Sequence, residues 1–339
     1  MYRGAIIGLG NIGLYGHLPA YFHPDIRKEV KIIAGCDLSR ENLERFQKLI
    51  PAAHLFTDAE KLFQYEKLDF VDICTPPVSH FNLIKKAALK KINILSEKPV
   101  TLELETLLQI KKLVLKNKLV FLPGHQYRYS PVWQKIISII ESGCIGRPYL
   151  IQFFVYRREA NKGNEYWDPA WRSEIEISGG GIIVDHGSHL FYLASSILGK
   201  PEFVTAITNR LSHFKYSVED TASINIQHEK GAAHLLLTWA AHDRKMEFRI
   251  LGTDGEISAM ENKITVIGIE GKEIVKLDKG LSGDSKHSDW YIPLFREFID
   301  RLDKKNLSID GMEEAITTTM LISASYKSAE IKKTVAIIG

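Results

Sequence analysis

Short, continuous apolar runs alternate with amphipathic stretches through the first third of the chain. Residues 5–7, 31–36 (KIIAGC), 70–75 (FVDICT), 92–96 and 119–122 (LVFL) read as strands. Between them, residues 41–49, 81–90 and 103–116 carry the apolar spacing of helices. Strands that are apolar at every position, rather than at alternate ones, belong to a parallel sheet covered on both faces. The pattern predicts a doubly wound α/β domain of Rossmann type over residues 1–124.

The rhythm changes after that point. A helix is expected over 133–141, a long strand over 149–156 (YLIQFFVY) and a helix over 182–198. Longer strand patterns follow at 203–211, 221–228, 232–241, 245–251 and 263–277, the last broken by a turn at Gly271. Few helices interrupt them. This predicts an α+β domain over 125–339, with a large, mostly antiparallel open sheet and helices on one face. Two closing helices are expected at 291–302 and 311–331.

Composition changes little. At 339 residues, the chain is long enough for two cores. A formal charge of +3 gives no field for nucleic acid or an anionic membrane. The lysine pairs at 85/86, 90/91 and 111/112 fall on solvated helix faces. No apolar run reaches membrane-spanning length, and Met1-Tyr2-Arg3 leads straight into a strand. Cys36, Cys74 and Cys144 are widely spaced, with no zinc or C-x-x-C pattern. Buried thiols and a cytoplasmic location are expected.

Chemistry collects at the strand ends. Gly8, Gly10 and Gly13 in GLGNIG have G-x-G-x-x-G spacing between a strand and a helix, with Asn11 and Ile12 inside the turn. Such a turn lets a pyrophosphate approach the backbone at a helix N-terminus. Asp37 ends the next strand, where an acid hydrogen-bonds the adenosine ribose. An acid there repels a 2′-phosphate, so NAD is expected; nearby Arg40 leaves NADP open. The third clear strand ends in TPPVSH, residues 75–80. Thr75 and Pro76 lie on the cofactor edge, and Ser79 is placed to cap the next helix. His80 is either a cofactor contact or a helix-start residue packed on the loop.

The following strand ends in SEKPV, residues 96–100, on the same edge. Glu97 and Lys98 are therefore expected to face the nicotinamide end of the cofactor. A lysine there holds a substrate hydroxyl, stabilises an alkoxide or relays a proton. Pro99 fixes the turn and permits a cis bond. In the second domain, SGGGIIVDHGSHLFYL (178–193) sets Asp185 four residues before His189, on one helix face. A histidine with a carboxylate neighbour takes a proton as hydride leaves the same carbon. His186 is read as structural. Two ligands without a third do not specify a metal, and none is expected.

These elements in this order, with WRSEIEISGGGIIVDHGSH, EDTASINI and LGTDGEI, make the chain resemble the Gfo/Idh/MocA oxidoreductases over nearly its whole length. The resemblance implies a Rossmann domain, a nicotinamide cofactor, substrates that are sugars, nucleotide sugars or cyclitols, and an open sheet that forms the oligomer interface. A homodimer or homotetramer through the C-terminal sheet follows. The E-K-P lysine matches Lys98, and the D-x-x-x-H pair matches Asp185 and His189. The W-R element matches Trp171 and Arg172, near cofactor or substrate. Gln126 and Arg128 in HQYRYSP are implied contacts of the same kind, and Tyr166 lies where the family's substrate loop runs. Many members carry Asp three residues after the histidine, where this chain has Tyr192. Arg157 and Arg158 are read either as a solvated basic turn or as anchors for a carboxylate or phosphate.

The resulting expectation is an NAD(P)-dependent dehydrogenase acting on a secondary alcohol. His189 is the acid/base oriented by Asp185, and Lys98 polarises the reacting oxygen. Which of the two is the immediate base stays open. A redox-neutral NAD-dependent glycoside hydrolase and a non-catalytic NAD-binding sensor are the alternatives.

Overall fold

In the computed structural model, residues 1–160, 170–283 and 286–337 are described. They divide into two compact units: Met1–Gln126 with Lys286–Ile316, and Tyr127–Ser285 with Thr317–Gly339.

The first unit is built on β1 (Tyr2–Ile7), β2 (Val30–Cys36), β3 (His54–Phe56), β4 (Phe70–Ile73), β5 (Asn93–Ser96) and β6 (Phe121–Pro123). All pair in parallel, in the order β3-β2-β1-β4-β5-β6. This is the doubly wound arrangement that the apolar runs predicted, with its reversal of strand order between β1 and β4. Every residue of β4 is buried, which is why its sequence shows no alternation. Helix Arg40–Leu49 begins where the Ser39 hydroxyl accepts the Asn42 N–H. Helix Leu104–Asn117 ends at Lys118 in the left-handed region. Periodicity missed β3 and helix Ala59–Tyr65, each too short to build a pattern.

A single boundary at 124/125 does not describe the chain. Helix Ser288–Asp303 belongs to the first unit, where Phe295 stacks on Tyr21 at 4.2 Å and Phe298 meets Phe70 edge-on. It follows the strands of the second unit in sequence, and only its contacts group it with the first.

The second unit holds β7 (Pro148–Tyr156), β8 (Pro201–Asn209), β9 (Thr221–His228), β10 (Gly231–Thr238), β11 (Lys245–Gly252), β12 (Gly255–Met260), β13 (Lys263–Gly268), β14 (Gly271–Lys276) and β15 (Val335–Ala336). Their order is β14-β13-β12-β11-β7-β10-β9-β8-β15, antiparallel except for β7 with β10. Ile151, Phe153 and Val155 alternate inward from β7. Trp133, from helix Pro131–Glu141, packs edge-on against Phe248 beside Phe153. β12 and β15 were not foreseen as separate strands.

Candidate active site

The carboxyl ends of β1, β2, β4 and β5 bring the glycine turn, Asp37, Thr75–Pro76 and Glu97–Lys98 to one edge of the first sheet. Gly8 has φ +94°, and a Cβ on it would stand 2.7 Å from the Cys74 carbonyl carbon. A Cβ on Gly13 would lie 2.2 Å from the Gly8 carbonyl oxygen. Nothing lies within 4 Å of a Cβ built on Gly10, and the buried Asn11 Oδ1 has no hydrogen-bond partner. Open space at the middle glycine fits a dinucleotide phosphate laid along the turn, beside backbone N–H groups of the helix start. Asp37 ties the turn to β2: its two carboxylate oxygens accept the Leu9 N–H at 2.6 Å and the Ser39 N–H at 2.8 Å. Oδ1 also accepts an Asn42 Nδ2–H at 3.4 Å, so Oδ2 is the oxygen with a lone pair left for a ribose hydroxyl.

Two expected cofactor contacts prove to be internal braces. His80 is fully buried, with Nδ1 3.0 Å from the Pro99 carbonyl and Nε2 2.7 Å from the Thr75 carbonyl. Both ring nitrogens thus face backbone rather than the cofactor edge; burial lowers the affinity of the ring for a proton, and a neutral ring donates to one of the two carbonyls. Ser79 sits inside helix Pro77–Leu89 rather than capping it, and its hydroxyl donates to Thr75 Oγ1. Glu97 turns inward. Its Oε1 faces His17 Nε2 at 3.0 Å and accepts the Tyr291 hydroxyl at 2.8 Å, and its Oε2 accepts the Lys98 N–H at 3.0 Å. The expected outward Glu–Lys pair is therefore a buried acid followed by a half-buried lysine. The Lys98–Pro99 bond is cis.

His17 and Asp72 were not anticipated. His17 Nδ1 lies 2.8 Å from Asp72 Oδ2, which also accepts the Tyr21 hydroxyl at 2.9 Å. A lone acid inside the apolar strand FVDIC was the available signal, because such a group must find donors. His17, Asp72 and Cys74 are the one group among the described residues with metal-ligand spacing. Both ring nitrogens of His17 already face carboxylates, and burial pushes the Cys74 thiol far above its ordinary range. Hydrogen bonding accounts for the cluster.

In the second unit, the segment 183–187 (IVDHG) winds as a π-helix that runs into α-helix Ser188–Leu198. Wider π turns of this kind are frequent at functional sites. Gly181 and Ile183, at the start of that segment, give their N–H groups to Glu219 at 3.0 Å each, and Tyr326 donates to the same carboxylate at 2.8 Å. Asp185 lies 3.6 Å from Arg172 Nε and 3.2 Å from His186 Nδ1. His186 thus shares the carboxylate rather than facing away. His189 is buried, its ring stacked on Tyr127 at 4.1 Å and its Nδ1 3.1 Å from the Tyr192 hydroxyl. That hydroxyl also accepts the Tyr127 N–H at 3.2 Å. Tyr192 is thus buried against the histidine.

Trp171 and Arg172 occupy a 3-10 turn, with the guanidinium 5.0 Å from the Trp171 ring centroid. Gln126 is buried with Oε1 unpartnered, and Arg128 lies in the 3-10 turn Gln126–Tyr129. Arg157 is buried and donates through Nη1 to the Tyr156 and Lys245 carbonyls, so it ties two strands instead of anchoring a ligand. Arg158 gives Nε to the His242 carbonyl. Tyr166 falls outside the described residues.

The family model described as "Oxidoreductase family, NAD-binding Rossmann fold" matches residues 2–125, and the one described as "GFO/IDH/MocA C-terminal domain" matches 133–258. The chain is 26% identical to a D-apiose dehydrogenase of Rhizobium rhizogenes, covering 99% of this chain and 97% of that one. It is 23% identical to a myo-inositol 2-dehydrogenase of Thermotoga maritima, covering 99% and 98%. An oxidoreductase from Agrobacterium radiobacter, solved with NAD+, L-tartaric acid and magnesium, superposes with a TM-score of 0.88 at 24% identity, covering 99% and 98%.

Proposed function

We propose, from the premise that this chain belongs to the Gfo/Idh/MocA family of NAD-binding oxidoreductases, that it is a dehydrogenase acting on a secondary alcohol of a sugar or cyclitol. The observation that carries the reading is its end-to-end similarity to relatives named for apiose and inositol dehydrogenation.

When bound, NAD supplies the hydride acceptor or donor. The chain supplies the rest. The Lys98 ammonium donates a hydrogen bond to the reacting oxygen and favours its alkoxide character. His189 exchanges the hydroxyl proton at Nε2, because Nδ1 is taken up by Tyr192. The stack on Tyr127 and the Tyr192 hydroxyl orient that ring, and Asp185, braced by Arg172, is assigned to substrate hydroxyls. Trp171, Arg172, Gln126, Thr75 and Pro76 keep their assignment beside the cofactor. Arg128 and Tyr166 keep theirs beside the substrate.

No helix among the described residues is long and apolar enough to cross a membrane. Three free cysteines support a cytoplasmic location. Exposed Met260, Ile267 and Ile274 on neighbouring strands support a homodimer or homotetramer formed through the second sheet.

A panel of aldoses, cyclitols and glycosides, scored by reduced-nicotinamide absorbance with NAD and with NADP, tests the activity. Turnover of at least one member is expected. NADH binding without turnover of any member would sink the reading. The cofactor choice has its own test. Asp37→Ser removes the acid assigned to the ribose, and charged hydrogen bonds contribute about 1.5–3 kcal/mol. NAD affinity, titrated by NADH fluorescence, is expected to fall roughly ten- to 100-fold, with NADP affinity rising relative to it.

A further inference from the structure

One buried ionisable cluster in the first unit has no part in the chemistry above. His17 leaves the π-helical turn Gly13–His17 that follows the glycine loop, and it is fully buried. Asp72 and Cys74 face it from β4 and its end, Glu97 from the end of β5, and Tyr291 and Phe295 from helix Ser288–Asp303. Tyr21, one turn along, reaches Asp72.

We propose that His17 is a positioning residue for Lys98: bridging Asp72 and Glu97, it fixes the Glu97 carboxylate that holds the backbone of the lysine turn. The proposal rests on the reading of Lys98 as the group that holds the reacting oxygen.

The protonation follows from the donors. Tyr21 and Tyr291 hydroxyls give their protons to the two carboxylates. Both His17 nitrogens also lie against carboxylate oxygens, which an imidazolium satisfies and a neutral ring does not. Burial works against that charge, but Asp72 and its neighbours hold His17 well above its ordinary range. Burial likewise pushes Glu97 up, and His17 brings its carboxyl below the ordinary value.

The geometry then runs outward to the turn. The Glu97 N–H is still in the sheet ladder, bonded to the Ile73 carbonyl at 2.8 Å. Beyond it, Pro99 has no N–H to offer, and the Lys98 N–H is met by Glu97 Oε2. Room for the carboxylate is kept by Gly124, where a Cβ would stand 3.0 Å from Glu97 Oε1. Asp72 lies on a strand flanked on both sides, so the chain of contacts starts from the stiffest part of the sheet. Glu97 feels the Lys98 charge, which helps to lower its carboxyl, and an opposite charge at that range favours an ammonium.

Glu97→Gln separates these roles. The amide oxygen still serves His17 and Tyr291, while its NH2 opposes the Lys98 N–H. Hydrogen exchange of the peptide spanning 94–100 is expected to speed by about tenfold or more, the loss of one charge-assisted bond. On the panel sugar with the highest turnover, kcat is expected to fall roughly ten- to 100-fold, the cost of a small misplacement. KM for NAD stays near that of the parent. With the negative charge gone, the ammonium form is less favoured, so the alkaline limb of the kcat–pH profile moves to lower pH. His17→Gln moves exchange and kcat in the same direction; should it fail to fold, E97Q carries the test alone. Unchanged exchange in E97Q overturns the clamp. Faster exchange with kcat and its pH limb unmoved overturns the positioning role. A Lys98→Met enzyme with parental kcat would instead sink the reading of Lys98, and exchange would still report on the clamp.

Discussion

Lys98→Met is expected to lower kcat by about 10²–10³-fold, the usual cost of removing one preorganised donor from a developing oxyanion. His189→Gln is expected to lower it by about 10²–10⁴-fold, the range of a lost general acid/base. Methionine keeps the length and apolar stem of a half-buried lysine, so the melting temperature of the first variant stays near that of the parent. Glutamine keeps a polar atom for the Tyr192 hydroxyl but has no group that titrates near neutrality. The two variants therefore differ in pH dependence: His189→Gln erases the acid limb of kcat, and Lys98→Met leaves it. Steady-state kinetics across pH decide the assignment. A retained acid limb in His189→Gln would move the role of base to Lys98, and parental kcat in both would remove the dehydrogenase mechanism.

Glu219→Ala is expected to destabilise the second unit strongly. The carboxylate meets three donors: Gly181 N–H, Ile183 N–H and the Tyr326 hydroxyl. Alanine leaves at least the Ile183 N–H without this acceptor, and each orphaned buried donor costs about 1–3 kcal/mol. The Gly181 N–H retains Tyr326 within 3.1 Å, which lessens the total. A loss of about 3–5 kcal/mol is expected, at the upper end of single substitutions. Because these donors begin the segment that carries Asp185 and His189, kcat should fall along with denaturation midpoint. Glu219→Gln, which keeps an acceptor, should recover most of both. The sequence offered Glu219 only as part of EDTASINI, with no role of its own, because a glutamate beside an aspartate at a strand start looks like solvated surface. Equal midpoints for alanine and parent would show that the glycine segment is held by other contacts.

The positions most legible in the sequence are those that local backbone geometry dictates. GLGNIG needs glycine at Gly8 and Gly13 because backbone atoms of neighbouring loops occupy the space of a side chain, and that requirement is written in spacing. Asp37 is likewise fixed by its place immediately after the end of β2. The continuous apolar runs announced a parallel sheet, and the alternation in β7 a sheet with one covered face. Strand order within each sheet left no mark in periodicity because it is set by contacts between distant segments, and the two π-helical turns left none because five residues are too few to show a period.

Amino-acid order by itself determined the fold class and singled out the glycine turn, Lys98, Asp185 and His189 as candidates. The direction in which a side chain points was decided only by packing. Glu97 and Lys98 are adjacent in the chain, yet one is drawn into a cluster assembled from residues 17, 21, 72 and 291, and the other stays at the strand end. His80 and His17 are both buried imidazoles; one meets two backbone carbonyls and the other two carboxylates. Those partners arrive from distant segments, and the charge a buried group carries is set by the partners it meets rather than by its neighbours in sequence.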